Sequence, residues 1–179
     1  SGAHYGWQSE TALQDGQQRL TIFHPSSKTE ALAAHGSSEN APVEILTAYV
    51  DEPWQGNVVT PGHGAAALEP LTAAPVTLLQ RDIERLIELI PVSLDMQVEA
   101  REYNRRFGND YDHAERFHRA FFSVKDDPIV TPYWHAARSQ KPDVRLTHKI
   151  TQFESRGIIV QYDLEPLGPL DWLQLHLRL

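Results

Sequence analysis

The sequence predicts an α+β fold, a mainly antiparallel sheet of about five or six strands covered by two helices. Three observations carry that expectation. Between Pro75 and Pro91, apolar residues recur at three- and four-residue spacing, the pattern of a helix with one buried face. Directly after Pro91 the period changes to two: Val92, Leu94, Met96, Val98 and Ala100 alternate with Ser93, Asp95, Gln97, Glu99 and Arg101, as in a strand with one face on a core. From Val144 onward two alternating segments, 144–150 and 173–179, flank a returning partner strand at 158–164, separated by turn residues. Strict alternation argues against a doubly wound parallel sheet, whose central strands are apolar on both faces.

Taken in order, residues 1–17 are polar, with Tyr5 and Trp7 as the only anchors, and read as a loosely ordered N-terminal arm. Residues 18–179 read as one α+β domain. Arg19–Phe23 is a strand stopped by Pro25, and Ser26 or Ser27 caps a short helix over Lys28–Ala34 that ends at Gly36. A polar loop, Gly36–Pro42, leads to a second strand, Val43–Val50. The irregular loop at 53–75 holds Pro53, Pro61, Pro70 and Pro75 with Gly56, Gly62 and Gly64, which leave regular structure without donors or order. The helix from Pro75 places Leu78, Leu79, Ile83, Leu86, Ile87 and Ile90 toward the core and Arg81, Asp82, Glu84, Arg85 and Glu88 toward water. A strand over 92–101 and a turn at Asn104–Gly108 come next. Asp110 or Asp112 caps a helix to about Val124, closed by Asp126-Asp127-Pro128. Residues 132–142 form a loop or short helix, and 144–150, 158–164 and 173–179 are the closing strands.

Composition excludes several classes. The chain has 179 residues, 16 Lys+Arg against 24 Asp+Glu, a formal net charge of -8 and no cysteine. An acidic balance disfavours a protein built on phosphate contacts, so no nucleic-acid partner is expected. Without thiols there are no disulfides, zinc ribbons, iron–sulfur clusters or cysteine nucleophiles. No apolar run is long enough for a membrane span. The chain opens Ser1-Gly2-Ala3-His4, with neither an initiator methionine nor a signal peptide, as in a trimmed fragment; anchoring through residues before Ser1 stays open. The absence of cysteine fits a bacterial extracytoplasmic (periplasmic) setting without fixing one.

No catalytic constellation finds all its partners. Glu115 and His118 share a helix face, the Glu-x-x-His spacing of carboxylate-bridged metal sites, and His113 adds a ligand nearby; yet no second such motif occurs, and an acid-rich helix start explains the same residues. Gly62-His63-Gly64-Ala65-Ala66-Ala67 matches the loose dinucleotide pattern but is cut by Pro70. His24-Pro25-Ser26 and His35-Gly36-Ser37 match H-x-S elements but flank one short helix. His148, on the apolar phase of its segment, reads as a core histidine. Trp54 and the run Tyr133-Trp134-His135 lie in Pro-flanked segments, where aromatics anchor binding surfaces. Arg101, Arg105, Arg106, Arg116 and Arg119 form a local basic stretch.

These residues together point to a non-catalytic accessory or interaction domain rather than an enzyme. It would engage another protein through a sheet edge or the 53–75 loop, with Trp54, Tyr133, Trp134 and His135 as binding residues and no cofactor. The alternative is an enzyme, or a small-ligand or metal-binding protein, whose His/carboxylate cleft gathers His113, Glu115 and His118.

Overall fold

The computed structural model describes residues 2–36, 41–123 and 131–177. The chain divides into two compact units. One comprises Ser1–Val43 with Phe122–Lys141, the other Glu44–Phe121 with Pro142–Leu179.

The first unit is built on a hairpin. Strands β2 (Gly6–Leu13) and β3 (Gly16–Phe23) pair antiparallel along their whole length, from Gly6 opposite Phe23 to Leu13 opposite Gly16. β1 (Gly2–Ala3) adds to the outer edge of β2. The polar residues expected to lie outside regular structure are therefore a strand, because the ladder satisfies their backbone groups whatever the side chains prefer. A turn of 3-10 helix over Pro25–Ser27 leads into α1 (Lys28–His35), close to its expected bounds. α4 (Pro132–Ser139) occupies the stretch read as a loop or short helix. Its Trp134 donates from Nε1 to the Ala3 carbonyl at 2.9 Å. Tyr133 and Trp134 meet edge-on at 5.2 Å, and Phe122 meets Trp134 at 5.9 Å, the geometry aromatic quadrupoles favour.

The second unit is helical. Short ladders join β4 (Ala48–Tyr49) to β7 (Ala66–Ala67) and β5 (Trp54–Gln55) to β6 (Val58–Val59). The helices are α2 (Ala74–Glu88), α3 (Gln97–Phe122, whose last residue belongs with the first unit), α5 (Val144–Arg156) and α6 (Pro169–His176). Along α3, Tyr103, Phe107, Tyr111 and Ala114 recur at helical spacing and pack with Trp54, Leu78 and Leu68. Phe117 and Ala120 continue the stripe into a second cluster with Leu146, Trp172 and Leu175. Each large side chain so buried contributes about 1.5–3 kcal/mol.

The expected fold class is thus overturned. Among the described residues there is no five- or six-stranded sheet under two helices; there are six α-helices and three small antiparallel sheets. The strand read over 92–101 fails because its apolar phase is not buried: Val92 is 101% exposed, Leu94 96% and Val98 74%. Met96, Ala100, Tyr103 and Phe107 supply a competing helical stripe, and it wins, running through the expected turn at Asn104–Gly108. The second strand shrinks from 43–50 to Ala48–Tyr49. Residues 144–150 are helix: Asp143 caps α5 by accepting the Leu146 N–H at 2.8 Å, and Leu146 and Ile150 fit a helical period as well as an alternating one, while Phe153 fits only the helical one. Residues 158–164 form no strand. Residues 173–176 belong to a helix opened by Pro169 and capped by Leu177, while 178 and 179, like the 126–128 helix stop and Ser37, lie outside the described residues.

The bounds expected for α2 are nearly right, but its buried side is rotated from the expected one. Asp82 is 0% exposed and Arg85 4%, while Ile83 is 46% and Ile87 64% exposed. Two charges expected in water, Asp82 and Arg85, lie on the core side with Leu78 and Leu86, while Glu84 and Glu88 stay exposed.

Candidate functional site

Those inward charges build a buried polar network. Arg85 donates through Nη1 to Asp82 Oδ1 at 3.0 Å and through Nη2 to Asp110 on α3. Arg81 grips Asp110 with two bonds, Nε to Oδ2 at 2.9 Å and Nη2 to Oδ1 at 3.0 Å, and reaches the Leu164 carbonyl at 3.2 Å. Such forked arginine–carboxylate pairs are the strong form of ion pair. Asp82 also accepts the Gly62 N–H at 3.1 Å. Burial raises the Asp82 carboxyl above its usual range, against the pull of the Gly62 N–H and the Arg85 charge. Burial likewise raises the phenols of Tyr103 and Tyr111. Over this network opens a cleft of about 130 Å³, floored by Arg81, Arg85 and Asp110 and rimmed by Glu84, Glu88 and Arg106. Arg106 is itself paired, to Glu102 at 2.6 Å and Glu88 at 3.3 Å. The cleft presents fixed donors and acceptors with its charges balanced within it.

A second buried network lies further along α3. The Lys149 ammonium is 2.9 Å from both carboxylate oxygens of Glu165, and His113 Nδ1 is 3.2 Å from Glu165 Oε1. Lys149 also donates to the Val160 carbonyl and lies 4.2 Å from the Trp172 ring centre. Burial lowers the Lys149 ammonium, offset in part by Glu165. Burial would raise the Glu165 carboxyl, but bonds from His113 and Lys149 outweigh it and hold it below its usual range.

The structure separates the residues expected to share a metal. His113 faces Glu165, Glu115 is held by Arg119 Nη2 at 2.5 Å, and His118 is buried, where loss of hydration pulls its imidazole down to about 4. Among the described residues no group of three His, Asp or Glu could hold one ion. Of the expected binding residues, Trp54 is in the second unit, buried edge-on against Tyr103 at 5.6 Å with its Nε1 donating to the Gly56 carbonyl. Tyr133 and Trp134 are buried in the first unit, and His135 beside them is exposed. Arg81, Asp82, Arg85, Asp110, Lys149 and Glu165 were missed. The signal for Lys149 was available: it is a lone cation on the Leu146–Ile150–Phe153 stripe. The Arg85–Asp110 pair joins residues on two helices and has no local signature.

The glycine pattern at 62–67 is a turn of 3-10 helix followed by β7, not a helix start. Gly62 has φ +56°, and its amide is taken by the Asp82 carboxylate. No helix among the described residues is long and apolar enough to cross a membrane.

A family profile described as tryptophan halogenase matches residues 4–178. In fold, the chain is similar to BrvH, a flavin-dependent halogenase from Brevundimonas sp. BAL3, at 24% identity and a TM-score of 0.86 over 96% of this chain and 37% of that one. It is also similar to Xcc4156, a flavin-dependent halogenase from Xanthomonas campestris (22% identity, TM-score 0.78, 98% of this chain and 37% of that one). A third similar structure is SttH, a tryptophan 6-halogenase from Streptomyces toxytricini (17% identity, TM-score 0.79, 98% and 37%). The chain spans little more than a third of the length of these structures. No curated protein sequence matches it.

Proposed function

The chain belongs to the tryptophan halogenase family, and from that premise we propose that the protein it comes from is a flavin-dependent halogenase acting on an electron-rich aromatic substrate. The family match over residues 4–178 carries the reading, supported by the fold shared with BrvH. Membership also overturns the expectation of a non-catalytic accessory domain: the family is one of enzymes, and the enzyme alternative is the better of the two sequence readings.

The neighbours' names imply a flavin. The glycine turn at 62–67 does not fit the pyrophosphate of a flavin dinucleotide. A phosphate needs free amides at a helix start, whereas here a carboxylate occupies the Gly62 amide and no helix follows. Halide and an electron-rich aromatic carbon are both nucleophiles, so joining them requires a two-electron oxidation of the halide, and a flavin is a redox group able to mediate it. The residues of this chain supply rigidity: α3 is tied to α2 by the Arg81/Arg85–Asp110 pairs, and its His113 meets the Lys149–Glu165 pair.

The test is an assay of the full-length protein with reduced flavin, dioxygen, chloride or bromide, and tryptophan, indole and simple phenols. The expected result is a product with one hydrogen replaced by halogen, read from its isotope doublet by mass spectrometry. Reoxidation of flavin without any halogenated product across that panel would overturn the reading.

A further inference from the structure

The cleft over Arg81, Arg85 and Asp110 lies wholly within the second unit, and its floor is built from buried charge. The Arg85 side chain is 5% exposed and that of Asp110 2%. Ions are costly to bury, and apolar residues in their place are often as stable or more so. Tying α2 to α3 does not by itself call for ions that open onto a cleft, whereas polar groups converging in a cleft are the mark of a binding site. The wall adds a second sign. Leu164, which lines the cleft, has φ +64° and is the only non-glycine residue with positive φ among the described residues. A bulky side chain is strained there, and such strain persists at ligand clamps. Arg81 holds that conformation by donating to the Leu164 carbonyl at 3.2 Å.

The valences left over select the ligand. An arginine offers five N–H donors. Arg81 spends Nε and Nη2 on Asp110 and Leu164, and Arg106 spends Nε and Nη1 on Glu102 and Glu88, which leaves each a terminal nitrogen. Asp110 is gripped by both floor arginines, but Glu84 stands exposed on the rim, bonded to neither of them. Glu84 and Glu88 are one helical turn apart, about 5–6 Å. Arg106 is tied to Glu88 at 3.3 Å, so opposite charges flank the mouth within one small molecule's reach. The lining arginines and carboxylates balance, so a lone anion or cation leaves one sign unmatched, while a zwitterion pairs at both ends. A cavity of roughly 150 Å³ holds one benzene ring. This cleft, at about 130 Å³, takes about six non-hydrogen atoms and is too small for an indole.

We propose that this cleft binds a small zwitterion, an α-amino acid with a short side chain, its ammonium on Glu84 and its carboxylate on Arg106 and Arg81. The proposal does not rest on the halogenase reading, and its test does not depend on activity. The probe is L-alanine, with propionate (no ammonium) and ethylammonium (no carboxylate) as its two halves, followed by saturation-transfer NMR on the full-length protein at constant ionic strength. L-Alanine is expected to bind with a Kd of about 1 mM, and each half at least about fivefold more weakly. Glu84→Gln should weaken L-alanine at least about threefold and leave propionate unchanged, because propionate has no ammonium to lose. Arg106→Gln should weaken L-alanine and propionate alike. Urea midpoints separate lost binding from lost fold, and should Arg106→Gln unfold, the exposed Glu84→Gln carries the test alone. No binding of L-alanine at tens of millimolar, or equal affinity in the parent and Glu84→Gln, would overturn the proposal. Propionate as tight as L-alanine would overturn it in favour of an anion site, and ethylammonium as tight in favour of a cation site.

Discussion

Lys149 and Glu165 form a pair sealed from water: side-chain exposure is 0% and 1%, and the ammonium lies 2.9 Å from each carboxylate oxygen. Removing one partner strands the other charge in the interior. Lys149→Met is expected to lower unfolding free energy by about 3–5 kcal/mol. The double variant Lys149→Met/Glu165→Gln, which leaves no bare charge, should recover a measurable part of that loss. Urea unfolding of both reads it, and a double variant no more stable than the single one would show that the loss came from packing.

His118 makes stability depend on pH. It is 5% exposed and burial holds its imidazole near 4. In the unfolded chain the ring takes up a proton at its ordinary pKa near 6.5, so the unfolded state carries more protons between there and about pH 4. Stability therefore falls as pH drops through that window and stays lost below it. The full loss is roughly 3 kcal/mol at about 1.4 kcal/mol per pH unit. His118→Phe should remove this component, so that the drop between pH 7 and pH 4.5 is roughly 2–3 kcal/mol smaller than in the parent. An unchanged drop would mean that other groups set the acid response.

Gly6 and Gly16 share φ +152° at the two ends of the hairpin but differ in surroundings. A Cβ on Gly6 would lie 2.1 Å from the Ile22 carbonyl oxygen, while one on Gly16 meets nothing within 4 Å. Both alanine variants carry backbone strain of about 1–3 kcal/mol, and only Gly6→Ala must also displace a paired strand. Gly6→Ala should therefore lower Tm more than Gly16→Ala, as calorimetry would register; equal shifts would mean that the β2–β3 ladder yields freely at its open end.

Asp143 does two things at once, capping α5 through the Leu146 N–H at 2.8 Å and holding Arg116 Nε at 2.5 Å. Although burial pushes its carboxyl up, those two partners bring it below its usual range. Its contribution is thus present above the ordinary carboxylate pKa and lost as pH falls through the lowered folded value. Asp143→Ala should cost about 1–2 kcal/mol, and Asp143→Asn, which keeps a capping oxygen but not the charge, should cost less. Equal costs would assign the whole effect to the ion pair.

The helices α1 and α2 and the strand β3 were legible because capping residues, prolines and period agree there: Pro25, Gly36, Pro75 and Pro91 all mark real ends or their neighbours. Segments where two periods fit the same residues were not. Leu146 and Ile150 are two steps of an alternation and one turn of a helix, and the Asp143 cap, a single residue, decides between them. In 173–177 the alternating Leu177 is 72% exposed, while Trp172, Leu175 and His176 carry the burial. At 92–101 the alternation was genuine, but Val92, Leu94 and Val98 find no core among the described residues, and only Met96 and Ala100, which also fit a helix, pack on one. The polar network at Asp82, Arg85 and Asp110 was hidden for the same reason: amphipathicity says which side of a helix is apolar, not which neighbour that side meets.

The Asp82–Arg85–Asp110 triad has a consequence for descent. Arg85 bridges two sealed carboxylates on different helices, so a lineage that changes it alone takes that cation from Asp82 and leaves Asp110 to Arg81 alone. Relatives should keep the three positions together or replace them together with apolar residues, and covariation between positions 82, 85 and 110 would be the trace left in their genes.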